Sequence, residues 1–369
     1  MRLAFRNRGD LAQIASHLPR TGIHRILICR SIKSLGNSLL LTPLLQELGK
    51  FYPGAEIDLV ARSPIAQDIY GAYFSVSRII QLPRAPLRHP LQTFRALREM
   101  KRKHYDLVID PDPDSQSGRL LALRANATWS LGFVGPKKSG TLTHGIVLPD
   151  ELRHHAKIPV ALVRNAIGDG IRNEPYPPLD IRLSAIERHQ GRAALAHLAA
   201  GHPASLERRP CIGLFANATG AKRFGHAWWA RFLHAFEPGV ADYDLVEILP
   251  AFGQSLLDSR YPAYFSSEVR KLACVIGALD IFVSADCGVM HLACAAGTPT
   301  AGIFAVTDVN EWGPYGPSSC AIDAQNLAPE QAAQRVLEFL RGLPGANPRR
   351  IPLDSTGSAA SGLRRERGG

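Results

Sequence analysis

Short hydrophobic runs alternate with helical patterns along this chain, and this alternation limits the folds open to it more than any other feature. Strands are predicted at 25–30, 56–61, 78–82 and 105–110, and helices at about 38–50, 64–71 and 89–104. Strand and helix alternating at this spacing is typical of βαβ units, which build a parallel sheet. The same pattern starts again at 211 and continues to 341. The sequence therefore predicts an α/β protein of two Rossmann-like domains that face each other across a cleft.

A proline-rich segment separates the two series of elements. Pro175, Pro177 and Pro178 cannot continue a helix, so we expect the domain boundary near them. The expected divisions are an N-terminal extension over 1–24, one domain over 25–175, a second over 176–344 and a disordered basic tail over 345–369. Ligands of such folds bind beyond the carboxyl ends of the strands, which here means in the cleft.

The composition is that of a globular protein, because 46% of the 369 residues are hydrophobic and 20% are charged. No apolar stretch is long enough to span a bilayer, and the N-terminus lacks the pattern of a signal peptide. We therefore expect a cytoplasmic protein. The six cysteines form no CxxC pair and lack the close spacing of zinc ligands, so we interpret them as reduced and structural and expect no metal.

The formal charge of +11 favours a polyanionic partner or surface. Part of the excess lies in the tail, where solubility alone is a sufficient explanation, and part lies around 95–103. Anionic lipid head groups of the inner membrane or a phosphorylated glycolipid would account for the rest. Nucleic acid is disfavoured because the basic segments lack interleaved aromatic residues and any recognised motif.

The strongest local pattern is a strand–turn–helix at 280–312. The strand is predicted to end at Ser284 and the helix to begin near Gly288, where unpaired backbone N–H groups form an anion site. Gly288 would let a diphosphate approach the backbone, and Asp286 would cap the helix. His291 would donate a hydrogen bond to a phosphate oxygen or a sugar hydroxyl. The plainer alternative is that Asp286 only caps and His291 only packs.

A second pattern, FANATGAKRF at 215–224, follows the strand predicted at 211–216. Asn217 and Thr219 supply small polar groups, and Lys222 and Arg223 supply charge for a leaving diphosphate. A Lys–Arg pair is otherwise an ordinary surface feature, but its position between a strand and a helix favours a phosphate clamp.

A third turn, CRSIKSLGNSLLLTP at 29–43, follows the first strand. Gly36 permits a close approach, and a helix is predicted from Asn37 or Ser38. This turn would face the same cleft from the other domain.

These turns resemble those of glycosyltransferase family 9, the heptosyltransferases. The segment 31–61 is similar to the opening of that family, in which a Ser-Leu-Gly-Asp turn leads into a helix and a Tyr-Pro-Gly turn. The segment 284–316, with its Trp312-Gly313-Pro314 ending, is similar to the family's C-terminal signature. AKRF at 221–224 and HHAKIPVALVRNAIG at 154–168 match two further elements, so the resemblance covers most of 25–316 in order.

The resemblance implies a GT-B fold whose N-terminal domain binds the acceptor and whose C-terminal domain binds a nucleotide sugar, usually ADP-heptose. It implies transfer with inversion to a lipopolysaccharide core acceptor, without a required metal or cofactor. Ser34 and Gly36 would lie on the acceptor side. The residues expected at the donor are Asn217, Thr219, Lys222, Arg223, Asp286, Cys287, Gly288 and His291.

One departure from the family concerns the reaction itself. The aspartate that the family uses as general base is Asn37 in this chain, and a neutral amide cannot accept the proton of an attacking hydroxyl. Either a carboxylate of DPDPD (Asp110, Asp112 or Asp114) takes over, or the enzyme is slow, or the protein binds sugar nucleotide or glycolipid without transfer. DPDPD can equally be a solvated loop. Cys287 replaces a common threonine, and Phe224 a tryptophan.

Overall fold

The computed structural model describes residues 17–31, 33–168, 174–199 and 209–344. The predicted disordered tail over 345–369 and most of the predicted N-terminal extension lie outside the described residues.

The first half of the chain forms a six-stranded sheet in the order β3-β2-β1-β4-β5-β6, and all its strand pairs are parallel. Its strands are β1 (Arg25–Cys29), β2 (Glu56–Ala61), β3 (Val76–Gln81), β4 (Tyr105–Asp110), β5 (Ala127–Val134) and β6 (His144–Val147). Its helices are α1 (Leu35–Leu39), α2 (Thr42–Phe51), α3 (Ala66–Tyr70), α4 (Pro90–Arg102), α5 (Gln116–Ala122) and α6 (Ile158–Ile167).

The second half repeats this architecture with a parallel sheet in the order β12-β11-β10-β7-β8-β9. Its strands are β7 (Cys211–Phe215), β8 (Asp244–Ile248), β9 (Ala263–Tyr264), β10 (Ile281–Ala285), β11 (Thr300–Phe304) and β12 (Ser319–Asp323). Its helices are α7 (Ala185–Ala199), α8 (His226–Phe236), α9 (Val269–Ile276), α10 (Gly288–Ala296), α11 (Val309–Trp312) and α12 (Pro329–Gly342). Counted from the first strand of each half, both sheets have the strand order 3-2-1-4-5-6. Each half therefore has its topological switch point between its first and fourth strands.

The two sheets confirm the predicted α/β class with two Rossmann-like halves. Helix α6 begins at Ile158, with Pro159 in its first turn, where the missing N–H is tolerated. The strands β5, β6, β9 and β12 and the helices α5, α7 and α11 had not been predicted.

The halves pack directly against each other through α1 and α10, whose first turns meet at two glycines. A Cβ atom at Gly36 would lie 2.9 Å from Cδ2 of His291, and one at Gly288 would lie 3.0 Å from the backbone nitrogen of Gly36. The missing side chains of the two glycines permit this approach, since an added Cβ would require its neighbours to shift. The carboxyl end of β1 is thereby held close to the carboxyl end of β10.

The segment between the halves follows the N-terminal half closely. The buried Arg164 of α6 donates to the carbonyls of Glu174 and Pro175, and Gln46 of α2 donates to that of Pro178. The first backbone bond to the second half joins Ile181 N–H to the Ala295 carbonyl at 2.9 Å. The boundary at 175/176 remains a prediction.

Among the helices in the described part of the chain, none combines the length and the apolar character that crossing a membrane requires.

Candidate active site

A cavity of about 170 Å³ lies at the carboxyl ends of β1 and β4. Its wall from the first half includes Arg30 and Asn37 after β1 and Asp112 and Asp114 after β4. Trp312, from the second half, closes the cavity together with His155, Ile158 and three prolines of the first half. Residues of both halves therefore meet around one space, as the sequence predicted for the cleft.

Asn37 lines this cavity as the third residue of α1. The helix begins at Leu35 with Ser34 at its N-cap, so the predicted start at Asn37 or Ser38 is wrong by two or three residues. Ser34 makes no side-chain cap, and its carbonyl accepts from the hydroxyl of Ser38 at 2.9 Å. Asn37 is therefore not required as a cap and is available to the cavity.

The three aspartates of DPDPD have different environments. Oδ1 of Asp112 accepts from the backbone N–H groups of Asp114 and Ser115, at 2.9 and 3.0 Å, while Asp112 itself lines the cavity. Asp114 also lines the cavity, but its carboxylate is 2.8 Å from Nζ of Lys137. Asp112 is consequently the carboxylate of this loop that is both oriented by the backbone and not engaged by a cation within the described residues.

Asp110 is a structural group in this arrangement and does not line the cavity. Its carboxylate is fully buried, with Oδ2 3.0 Å from Nε of Arg119 and 2.8 Å from Nζ of Lys138. Burial raises the pKa of Asp110, and Lys138 and Arg119 oppose that effect. The structure therefore gives no support to Asp110 as a substitute base, because its carboxylate is buried outside the cavity lining and is paired with two cations.

Lys222, Asp286 and Trp312 form a group on the opposite side of the cleft. Nζ of Lys222 lies 2.9 Å from Oδ2 of Asp286, which is buried, and 5.9 Å from the centroid of the Trp312 ring. The lysine side chain is 34% exposed, so a bound anion could reach it. Trp312 thus connects this ion pair with the cavity.

The start of α10 differs from the prediction in two respects. Cys287, with an extended backbone, occupies the N-cap, so the prediction that Asp286 caps the helix is wrong. The space left by the missing side chain of Gly288 is filled by Leu35 and Gly36, each about 3.0 Å from a Cβ built there. Packing between the halves explains this glycine, and the predicted approach of a diphosphate on that side is blocked in this conformation.

His291 is 3% exposed in α10, and its Nδ1 has no hydrogen-bond partner among the described residues. Burial is the main reason why the pKa of His291 is lowered to about 3, with further contributions from His154 and Lys222. The imidazole is therefore neutral at neutral pH and retains one nitrogen able to accept and one able to donate.

The segment before α6 joins the cavity to the second half. The rings of His155 and Trp312 are in contact, with centroids 3.9 Å apart and planes tilted by 35°. His154 Nε2 is 3.1 Å from the carbonyl of Gly313, while its Nδ1 accepts from the N–H of Ala156, which fixes the tautomer. Burial lowers the pKa of His154 to about 4, so this link is uncharged at neutral pH.

The remaining residues predicted at the donor lie around the turn after β7 and the start of α10. Thr219 and Arg223 are exposed, whereas Asn217 is half-buried. Cys287 lies with its thiol 3.6 Å from the hydroxyl of Ser284, and burial raises the pKa of that thiol. Within the described residues, no group of three or more His, Cys, Asp or Glu is placed to hold a metal ion.

Sequence reasoning missed three residues of the cavity as site residues: Arg30, His155 and Trp312. The last two belong to the segments at 154–168 and 284–316 that carry the family resemblance. A strand-ending arginine such as Arg30 gave no comparable signal.

Residues 268–340 match the model of glycosyltransferase family 9 (heptosyltransferase). No curated protein sequence matches the chain.

Solved structures of similar fold cover nearly the whole described chain. A family 9 glycosyltransferase from Veillonella parvula is 18% identical, with a TM-score of 0.68 over 86% of this chain and 96% of its own. ADP-heptose lipopolysaccharide heptosyltransferase II of E. coli is 21% identical, with a TM-score of 0.62 over 86% and 98%. E. coli heptosyltransferase WaaC, solved with ADP, is 18% identical, with a TM-score of 0.63 over 85% and 99%. The family match in the second half and the shared GT-B fold together confirm the resemblance of this chain to glycosyltransferase family 9 and indicate a glycosyltransferase.

Proposed function

We propose that this protein transfers heptose, with inversion, from ADP-heptose to an anionic lipopolysaccharide-core or similar glycan acceptor. The observation that carries the proposal is the cavity in which Asn37 and Asp112 of the first half meet Trp312 of the second. The E. coli heptosyltransferases of the same fold support the choice of donor, since one was solved with ADP and again with ADP-2-deoxy-2-fluoro heptose.

Lys222 is the residue proposed to neutralise the departing diphosphate. Asp286 holds its ammonium group at 2.9 Å beside Trp312, so the lysine is positioned before any donor binds. A positioned cation stabilises the charge that grows on the leaving group without having to reorganise during the reaction. His291, neutral because it is buried, is proposed to donate a hydrogen bond to the donor.

Asp112 is proposed to accept the proton of the attacking acceptor hydroxyl. Two backbone N–H groups orient its carboxylate through Oδ1, which leaves Oδ2 as the basic atom. The hydroxyl oxygen would attack the anomeric carbon as its proton passes to Oδ2, and the bond to ADP would break on the opposite face. Such general-base help contributes about 10²–10⁴ to the rate.

The alternative function is binding of sugar nucleotide or glycolipid without transfer, and the specific observation that favours it is Asn37 in the cavity wall. If Asp112 does not act as base, wild-type protein should bind ADP-heptose but release no ADP in the presence of acceptor. Asn37→Asp should then raise transfer by about 10²–10⁴. If Asp112 does act, the same substitution should change the rate far less.

The test of the donor is calorimetric titration with ADP-heptose, UDP-glucose and GDP-mannose. We expect ADP-heptose to bind at least tenfold more tightly than the other two, and Lys222→Met to weaken it by a similar factor while Lys271→Met, at an exposed lysine on α9, does not. Equal affinity for all three nucleotides would overturn the assignment of the donor.

An anionic membrane surface is proposed to present the acceptor, and the segment before and within α4 supports this. Leu87, Leu91 and Phe94 are 98%, 75% and 63% exposed. The surrounding stretch 84–102 contains six basic residues (Arg84, Arg88, Arg95, Arg98, Lys101, Arg102) and one acidic residue, Glu99. Glu99 is engaged by Arg78 at 3.1 Å. Apolar side chains flanked by cations are typical of surfaces that bind anionic lipids.

Vesicle co-sedimentation tests this surface. Wild-type protein should bind vesicles containing phosphatidylglycerol and not vesicles of phosphatidylcholine alone. Leu91→Ser with Phe94→Ser should lower binding about tenfold, while Phe74→Ser, at another fully exposed position, should not. Equal binding by the two variants would contradict the proposed surface.

A further inference from the structure

Arg30 is buried in an unusual way. It follows β1 directly and is 8% exposed, and its Nε and Nη1 atoms are buried without a hydrogen-bond partner in the described part of the chain. The other deeply buried arginines are fully engaged: Arg119 bonds Asp110, and Arg164 bonds Glu47. Among described residues, no carboxylate lies within ion-pair distance of Arg30.

An unpaired buried guanidinium is unfavourable, because water no longer solvates the charge and no group replaces the water. Burial lowers the pKa of Arg30, and Asp112 is the main group that opposes this effect. A guanidinium is nevertheless not deprotonated at neutral pH. The folded protein therefore holds a cation whose Nε and Nη1 atoms make no hydrogen bond within the described residues.

The position of this cation indicates what could use it. Arg30 forms part of the wall of the 170 Å³ cavity, together with Asn37, Asp112 and His155. The adjacent hydroxyl of Ser31 is a second buried group without a partner in the described residues. Two consecutive residues after β1 thus carry buried donors without a partner in the described residues.

The charged groups near the cavity leave Arg30 without a direct ion pair among the described residues. The carboxylate of Asp114 is balanced by Lys137 at 2.8 Å, and one oxygen of Asp112 is bonded to two backbone N–H groups. His155 adds no charge, because burial and the positive charge of Arg30 lower its pKa. Asp112 contributes the largest opposing charge at Arg30, but no carboxylate among the described residues forms an ion pair with its guanidinium.

We propose that Arg30 is an anion-binding residue of the cavity, which pairs with a phosphate or carboxylate group carried by a substrate. The planar fork of N–H donors in a guanidinium matches the two oxygens of such a group. The anion can belong to the diphosphate of the donor or to an acidic group of the acceptor. The inference rests on the proposed function only for the identity of these substrates, since the pairing itself follows from Arg30.

The experiment measures binding rather than transfer. Wild type, Arg30→Gln, Arg30→Lys and a control, Arg335→Gln on the exposed face of α12, are titrated with inorganic phosphate and with ADP, and their thermal stability is followed in parallel. A hydrogen bond to a charged group raises an affinity about 10–100-fold. Arg30→Gln should therefore weaken binding of the relevant anion by about that factor. Arg30→Lys should retain part of the affinity, and Arg335→Gln all of it.

Thermal stability separates binding from a purely structural role. Without ligand, Arg30→Gln should melt at or above the wild-type temperature, because an unpaired buried charge has been removed. Phosphate should raise the melting temperature of wild type and not that of the variant. A variant that melts well below wild type, or that binds every anion with wild-type affinity, would overturn the inference.

Two further titrations identify the source of the anion. A loss of affinity for ADP assigns Arg30 to the donor diphosphate. A loss confined to phosphorylated or carboxylated sugar acceptors, with ADP binding intact, assigns it to the acceptor. Arg30-dependent phosphate binding in a protein that transfers no heptose would leave this inference standing while the proposed function fails. Transfer of heptose by a protein whose anion affinities do not depend on Arg30 would support the proposed function and overturn this inference.

Discussion

Two ion pairs of this protein have nearly the same geometry and opposite exposure. Arg164 meets Glu47 through two bonds of 2.6 and 3.1 Å, and both side chains are 2% exposed. Arg231 meets Glu330 through two bonds of 2.8 and 2.9 Å, with side chains 62% and 45% exposed. The first pair joins α6 to α2 and holds the segment between the halves. The pairs therefore isolate the effect of burial on stability.

Arg164→Met should lower the free energy of unfolding by about 3–5 kcal/mol, because it leaves the carboxylate of Glu47 buried without a counter-ion. It also removes the donors to the carbonyls of Glu174 and Pro175. Arg231→Met removes an equivalent pair from water-exposed surface and should cost about 0–1 kcal/mol.

Urea unfolding followed by circular dichroism, at low salt and at 0.5 M salt, measures both effects. The loss in Arg164→Met should persist at high salt, whereas any loss in Arg231→Met should shrink, because salt screens exposed charges far more than buried ones. The double variant Glu47→Leu with Arg164→Met should regain part of the stability. Equal losses in the two single variants, or no recovery in the double variant, would refute the reasoning.

Two further outcomes are expected. The pKa of His291 is lowered to about 3, so below pH ~6.5 the unfolded chain binds a proton that the folded protein does not bind, and stability falls as the pH drops from there towards 3. Chemical denaturation should show that the free energy of unfolding of wild type falls by about 2 kcal/mol more than that of His291→Gln between pH 7 and pH 5. Equal decreases in the two proteins would contradict this. Gly288→Ala should lower the free energy of unfolding by about 1–3 kcal/mol, because the added carbon would press on Leu35 and Gly36. In thermal melts, Gly49→Ala should be neutral or stabilising, since Gly49 lies in a helix and no other part of the structure comes within 4 Å of the added carbon. Equal effects at the two glycines would count against the packing role.

The sequence predicted the two halves and, for each sheet, the edge at which the proposed site lies. Asn37 follows β1 and Asp112 follows β4, and these two strands are paired with each other in the first sheet. The carboxyl ends of parallel strands lie at one edge of a sheet. Their meeting in one cavity was therefore accessible from local pattern alone.

Contacts between the halves could not be predicted from local sequence pattern. The glycine at 288 is explained by Leu35 and Gly36, which are remote in sequence, and the local turn pattern suggested a ligand contact instead. The same holds for Asp110, whose engagement by Arg119 and Lys138 depends on the packing of α5 and of the loop before β6. The strands β5 and β6 were missed because their partly exposed residues lack the continuous apolar character of buried parallel strands.

The central claim is that this cleft transfers sugar with Asp112 in place of the base that Asn37 cannot provide. The most direct measurement is single-turnover release of ADP from ADP-heptose with acceptor, comparing wild type, Asp112→Asn and Asp114→Asn, with donor affinity measured alongside. We predict that Asp112→Asn slows turnover about 10²–10⁴-fold with unchanged donor affinity, and that Asp114→Asn does so by far less. Turnover at the wild-type rate in Asp112→Asn would contradict the account.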